Sequence, residues 1–176
     1  MKEWEEWECM TGAFPSLQCL TVLDCPKLKG NFPEHLPHLN NLIIHRCEQL
    51  VGSTPRAVKI EGLKMETSSF DMIGHLLSHT PLHSLCIFSL PGVNIPINHC
   101  YHFLVELNIS KCCDSLTNFP LDLFPKLCHL CLDECHNLQM ISQEHPHHHL
   151  KRLRILKCCE FESFPNEGLL ARSLIL

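Results

Sequence analysis

The 176-residue sequence predicts an α/β solenoid, because one apolar motif recurs along the whole chain at nearly constant spacing. The motif has the form L-x-x-L-x-L, and its first positions lie 22, 21, 22, 22, 23 and 23 residues apart. All 21 motif positions are apolar in a chain that is 45% hydrophobic, so coincidence is a poor explanation. The seven copies are Leu17/Leu20/Val22, Leu39/Leu42/Ile44, Ile60/Leu63/Met65, Leu82/Leu85/Ile87, Leu104/Leu107/Ile109, Leu127/Leu130/Leu132 and Leu150/Leu153/Ile155.

Each copy predicts one short strand, whose side chains alternate between the core and the solvent. A single copy cannot bury its apolar edge, so successive copies must stack into a parallel sheet on the concave side of an arc. The residues between the apolar positions share no residue type from copy to copy, which is typical of a protein-binding surface. The candidate binding residues on this concave face are Leu23, Ile43, His45, Lys64, Glu66, Cys86, Phe88, Glu106, Asn108, His129, Cys131, Asp133, Arg152, Arg154 and Leu156, and the same face includes Cys19, Thr21, Asn41, Gly62, Ser84 and Ser110.

Cysteine follows the third apolar position by three residues in five of the seven copies. This is the slot that leucine-rich repeats fill with Asn or Cys, where the chain leaves the strand and a small side chain with a weak donor fits inside the coil. Most of the 13 cysteines are therefore predicted to be structural. A zinc site at Cys128-x-x-Cys131 with Cys135 is not expected, since the latter two should point to opposite faces. The five slot residues are Cys25, Cys47, Cys112, Cys135 and Cys158.

The segments between the strands are rich in proline, as in Phe32-Pro33, Phe119-Pro120 and Phe164-Pro165. Proline fixes φ and cannot donate to a ladder, so these returns on the convex side are predicted to be extended or irregular. Residues 69–78 differ, because their apolar residues have helical spacing after a serine that can cap a helix. A short convex helix is predicted there.

Over essentially its whole length, the chain resembles the C-terminal leucine-rich repeats of plant coiled-coil, nucleotide-binding disease-resistance proteins. The resemblance rests on W-E-E-W-E at residues 4–8, on F-P-S-L-Q-C-L-T-V-L-D-C-P-K-L-K-G at residues 14–30 and on L-P-H-L at residues 36–39. It implies part of an intracellular immune receptor whose repeats sense a pathogen effector or a host guardee, or contact the receptor's own nucleotide-binding domain.

The chain is predicted to be a single leucine-rich repeat domain over residues 1–176, with about seven repeats, a partial eighth at residues 172–176 and no polar caps. It contains no G-x-x-x-x-G-K-[ST] motif, and its glycines do not cluster, so no cofactor is expected. The sequence thus predicts a non-catalytic recognition module that binds protein. Alternatives are an adaptor that presents a protein substrate, a non-functional receptor fragment, or a redox- or metal-responsive Cys/His protein.

Composition argues against several other classes. The formal net charge of -5, without a basic block, gives no footprint for nucleic acid, and no apolar run is long enough to span a membrane. The acidic N-terminus lacks the features of a secretory signal, so a cytoplasmic location is expected. No nucleophile elbow or catalytic cysteine signature occurs, so no enzyme is expected. The histidine-rich tract at residues 145–149 is predicted to be a solvated loop.

Overall fold

The computed structural model describes residues 5–7, 12–30, 32–33, 35–50, 60–66, 81–89, 100–165, 168–169 and 171–176. The chain forms two compact units, unit 1 (Met1–Leu82) and unit 2 (His83–Leu176). Both units contain parallel strands that are joined by long return segments, as the sequence predicts for a repeat solenoid.

The described residues of unit 1 form three strands, β1 (Cys19–Leu23), β2 (Asn41–His45) and β3 (Gly62–Glu66). They pair in parallel in this order, and Leu20, Leu42 and Leu63 occupy the same register position. Every strand therefore starts and ends at the same height, so each apolar motif lies directly against the next.

Unit 2 contains seven strands among its described residues: β4 (Ser84–Phe88), β5 (Glu106–Ser110), β6 (Asn118–Pro120), β7 (His129–Asp133), β8 (Met140–Ser142), β9 (Arg152–Leu156) and β10 (Ser173–Ile175). β4, β5, β7, β9 and β10 form one parallel sheet in that order. Leu107, Leu130 and Leu153 share one register position on it, which confirms the predicted stacking of the motifs. β6 and β8 form a second parallel pair in the return segments.

The core is built from the repeated apolar positions. Twenty of the 21 motif residues are buried, and only Leu17, at the start of the first copy, is half-buried. Four of the five residues in the cysteine slot are buried as well, and Cys158 is half-buried. The predicted structural role of these thiols is confirmed by their contacts, since Cys47, Cys112 and Cys158 each donate to a backbone carbonyl of the preceding turn.

The chain leaves most of the main strands through a residue in the left-handed region, which the sequence analysis did not predict. Asp24, Arg46, Ser89, Lys111, Glu134 and Lys157 all have φ between 48° and 53°. Five of them donate their N–H to the next strand, as Asp24 does to His45 O at 3.0 Å. These hydrogen bonds hold non-glycine residues in a conformation that is unfavourable by about 1 kcal/mol.

The exposed side chains at these exits also pair between turns. Lys157 Nζ lies 2.8 Å from Glu134 Oε1, and Lys111 Nζ lies 3.8 Å from Glu134 Oε2. A hydrogen bond from Lys157 lowers the pKa of Glu134, and the same bond raises the pKa of Lys157. In unit 1, Arg46 and Asp24 form a looser pair at 3.6 Å.

The return segments are largely extended, as their prolines predict. Phe119-Pro120 lies in β6, and Phe119 pairs with Ile141 of β8, both side chains being buried. Helical returns are not found among the described residues, apart from a 3-10 turn at Leu121–Leu123, and none of these residues lies in a helix that could cross a membrane. The helix predicted for residues 69–78 lies outside the described residues.

Candidate functional site

The predicted binding residues all lie on the side of the strands that faces away from the core. Each is exposed or half-buried, whereas the residues on either side of it within the strand are buried. Among the other residues predicted for this face, Ser110 departs from the pattern, since it is 9% exposed. We call these surfaces the unit 1 strand face and the unit 2 strand face. The placement of the residues is as predicted, and their role in binding remains a prediction.

The unit 1 strand face combines an apolar residue with a polar pair in one row. Leu23, which is 50% exposed, lies next to His45, and His45 lies next to Glu66. His45 Nε2 and Glu66 Oε2 are 2.7 Å apart, so the imidazole donates to the carboxylate. In another row, a Cβ atom added at Gly62 would collide with the side-chain oxygen of Asn41. The absence of a side chain at Gly62 therefore leaves space for the side chain of Asn41.

The unit 2 strand face carries polar contacts that run across the strands. Glu106 accepts from Ser84 Oγ at 3.4 Å and lies 3.1 Å from His129 Nδ1. In a parallel row, Asn108 Nδ2 donates to Cys86 Sγ at 3.2 Å. Contacts between side chains on adjacent strands stabilise the surface of a sheet, and these contacts hold the side chains in place.

A third row of this face, through Ser110 and Asp133, is more enclosed than the rows of Glu106 and Asn108. Ser110 Oγ donates to Asp133 Oδ2 at 3.1 Å, which explains why Ser110 is buried on an otherwise accessible face. Burial raises the pKa of the Cys131 thiol, and the positive charge of Arg154 opposes this shift only in part. The raised pKa favours the neutral thiol of Cys131.

Two guanidinium groups, on Arg152 and Arg154, project from β9 next to these rows. Both residues are exposed, and neither side chain forms a hydrogen bond or an ion pair with another described residue. Side chains two apart on a strand lie on the same face. Together they provide up to ten N–H donors that nothing in the described part of the chain engages.

The histidine-rich tract is only partly the solvated loop that its composition predicts. His145, His148 and His149 are exposed, but His147 is 7% exposed. Leu150 N donates to His147 Nδ1 at 3.2 Å, so Nε2 must carry the proton that is donated to Phe124 O at 2.8 Å. His147 is thus a structural bridge between two return segments, and the expectation for this residue is wrong.

A second polar bridge in the returns was not predicted. Asp122 Oδ2 accepts from Glu144 N at 2.7 Å, and Asp122 Oδ1 accepts from His145 N at 3.0 Å. Burial alone would raise the pKa of this carboxyl, but the two backbone hydrogen bonds and the side chain of His145 together outweigh it, so the pKa is lowered. Asp122 is not part of a repeated pattern in the sequence, so the sequence did not indicate this contact.

The returns of unit 2 also line a partly open cavity of about 480 Å³. Its wall includes Asn118, Asp122, Gln143 and Glu144, and the side-chain oxygens of Asn118 and Gln143 are buried without a partner in the structure. No other described feature points to a particular ligand there.

The cysteines do not assemble into a metal site in the described part of the chain. No group of three or more His, Cys, Asp or Glu side chains within those residues is arranged to hold an ion. Cys128 and Cys131 are half-buried, and Cys135 is buried on the core side of the strand exit.

Comparison with known proteins points to plant disease resistance. The chain is 27% identical to disease resistance RPP13-like protein 1 of Arabidopsis thaliana over 182 residues, covering 99% of this chain and 14% of that protein. It is 31% identical to disease resistance protein RF9 of the same plant over 100 residues, covering 53% of this chain and 10% of that protein. No family profile matches, and no solved structure gives a significant match.

The resemblance stated from the sequence is therefore confirmed: the chain is similar to plant disease resistance proteins, to one of them over nearly its whole length, and it has the parallel strands of a repeat solenoid. It spans only a small part of the length of these relatives.

Proposed function

We propose that this chain is a non-catalytic protein-recognition module of a plant immune receptor, located in the cytoplasm. Its similarity to disease resistance proteins supports a role in defence. The proposed partner is a pathogen effector, a host guardee or the nucleotide-binding domain of the receptor itself. No nucleic acid, membrane or cofactor takes part.

The observation that carries the proposal is the unit 2 strand face, where a regular backbone presents irregular side chains. Arg152 and Arg154 offer unused donors next to Leu156, which is half-buried. Arginine is enriched among the residues that dominate binding energy, and apolar contacts at its side exclude water. The polar rows at Glu106 and Asn108 hold their side chains in place, so binding there orders few additional groups.

The test is to replace Arg152 and Arg154 together by alanine and to measure the affinity for each candidate partner by titration calorimetry. We expect the Kd to rise by at least about tenfold for the true partner, because each arginine at the centre of an interface contributes about 1 kcal/mol or more. Phe88→Ala, on another strand of the same face, should also weaken binding.

Lys151→Ala is the matched control, since it removes one positive charge from an exposed residue directly before β9. Its effect should be less than about threefold, and it should decline with added salt. Unchanged affinity of the double variant and of Phe88→Ala for every partner that binds the unaltered chain would contradict recognition through the unit 2 strand face.

A further inference from the structure

Cysteines occupy equivalent places on adjacent turns in each unit, two in unit 1 (Cys25 and Cys47) and three in unit 2 (Cys112, Cys135 and Cys158). Cys25 and Cys47 lie two residues beyond the register pair Leu23 and His45 in unit 1. Cys135 and Cys158 lie two residues beyond the register pair Asp133 and Leu156 in unit 2. Neighbouring strands are about 4.8 Å apart, which falls in the range of Cα separations that a disulfide can bridge.

The thiols within each pair reach the same strand exit. In unit 2, Cys135 Sγ donates to Asp133 O at 3.8 Å, and Cys158 Sγ donates to the adjoining Leu132 O at 3.6 Å. The two sulfurs therefore lie over consecutive carbonyls of one strand. Unit 1 repeats this arrangement, with Cys25 Sγ at Leu23 O and Cys47 Sγ at Val22 O.

The pairs differ in their access to solvent. Cys25 is 3% exposed and Cys47 is 0% exposed, so no reagent reaches that pair without unfolding. In unit 2, Cys112 and Cys135 are each 1% exposed, whereas Cys158 is half-buried and is therefore the most accessible of the three.

The surroundings of the two pairs also make Cys158 easier to ionise than Cys47. Burial raises the pKa of Cys47. When Cys158 ionises, hydrogen bonding from the neighbouring Cys135 thiol stabilises the thiolate, and this lowers the pKa of Cys158 to about 7 although burial opposes the shift. The carbonyl contacts of Cys158 at 3.4 and 3.6 Å are long and weak, so their loss on ionisation costs little.

We infer that Cys158 and Cys135 form a peroxide-reactive pair, in which Cys158 is oxidised first and Cys135 then closes a disulfide between adjacent turns of unit 2. In the first step, the Cys158 thiolate attacks hydrogen peroxide. The S–O bond forms, the O–O bond breaks, and hydroxide leaves as water with the proton that Cys158 released. In the second step, the Cys135 sulfur attacks the Cys158 sulfur, the S–S bond forms, and the second oxygen leaves as water with the proton of Cys135.

The two thiols are together oxidised by two electrons, and one peroxide is reduced to two waters. The inference does not depend on the proposed recognition function, since these sulfurs lie on the core side of the strand exits and not on a strand face.

The experiment treats the folded full chain with hydrogen peroxide, blocks the remaining thiols with N-ethylmaleimide and maps the peptides by mass spectrometry without reduction. We expect a link between the peptides that contain Cys135 and Cys158, with the loss of two hydrogens and full reversal by dithiothreitol. Oxidation of Cys25 and Cys47 should be at least about tenfold slower, because their reaction requires opening of the fold.

Matched variants assign the link. Cys158→Ser should abolish it, whereas Cys47→Ser, at the equivalent position in unit 1, and Cys159→Ser, at the exposed neighbouring thiol, should leave it intact. Absence of the link in the unaltered chain, a link through Cys159, or equal oxidation rates of the two pairs would overturn the inference. The map of the unaltered chain decides the question even if a variant does not fold.

Discussion

The two units share one strand architecture, but the contacts of their described return segments differ. In both, the apolar motif fills the core and the strand exits adopt the same left-handed conformation. Unit 2 has in addition the β6 and β8 pair and the two polar bridges at Asp122 and His147. The described returns of unit 1 show a single bridge between Glu6 and Lys29. The repeat thus determines the strands, whereas individual residues determine the returns.

Three stacked aromatic rings are the largest feature of the unit 2 returns. The ring centroid of Phe124 lies 4.8 Å from that of Tyr101 and 5.0 Å from that of Phe119. We expect Phe124→Ala to lower the free energy of unfolding of unit 2 by about 4 kcal/mol, because it removes both contacts and leaves a cavity.

Urea denaturation measures this loss, and Phe103→Ala is the control because Phe103 is 50% exposed. The control should cost less than about 1 kcal/mol. Equal losses for the two variants would mean that the aromatic stack stabilises unit 2 no more than an exposed ring does.

The next largest loss of stability is expected at the buried imidazole of His147. His147→Ala removes the partner of Phe124 O and of Leu150 N, and we expect a loss of about 2 kcal/mol, because two buried backbone groups are left unsatisfied. His148→Ala, at an exposed neighbour, should stay within about 0.5 kcal/mol of the unaltered chain. Denaturation curves at neutral pH measure both variants, and a neutral effect of His147→Ala would show that water can replace the bridge.

The Asp122 bridge should produce a pH-dependent stability. Because the folded pKa of this carboxyl is lowered, its contribution is present above the unfolded pKa of about 3.9 and is lost as the pH falls through the folded pKa. We expect Asp122→Asn to cost about 1 kcal/mol at pH 7 and progressively less below pH 4, after allowance for its partial exposure.

Glu144→Gln is the control for the Asp122 bridge, since only the backbone N–H of Glu144 takes part in it. Thermal melts between pH 3 and pH 7 measure the difference between the two variants. A cost of Asp122→Asn that does not change with pH would contradict the bridge as the source of stability.

The smallest effect is expected in unit 1, at Gly62. Gly62→Ala should change the stability by less than about 1 kcal/mol, because the reduced freedom of the unfolded chain is offset by the collision with Asn41. In an Asn41→Ala background, the same change should stabilise the chain by about 0.5 kcal/mol. A double-mutant cycle from urea denaturation measures this coupling, and strict additivity would show that the two side chains do not compete for space.

The strands and their two faces could be predicted because each contact on the core side repeats with the motif. Leu42, Leu107 and Leu130 needed no knowledge of the rest of the chain to be placed, and the cysteine slot followed from the same spacing. The extended returns followed from proline alone.

The bridges could not be predicted, because they depend on which residue of one return meets which residue of the next. His147 and Asp122 lie in segments without a period, and their partners are mostly backbone atoms, which carry no residue type. Composition suggested a solvated histidine tract, but one ring of the tract turned inward to satisfy two backbone groups. The left-handed exits escaped prediction for a related reason, since a backbone hydrogen bond between strands overrides the preference of Arg46 or Lys111.

The identical register of neighbouring turns determines which insertions and deletions the chain can accommodate. Loss or duplication of about 22 residues would shift every later side chain by one whole turn and leave its surroundings the same. Loss of one residue inside a strand would instead exchange the inner and outer side chains of that strand. Such a molecule can grow or shrink its outer surface in steps of about 4.8 Å, but it tolerates no smaller step.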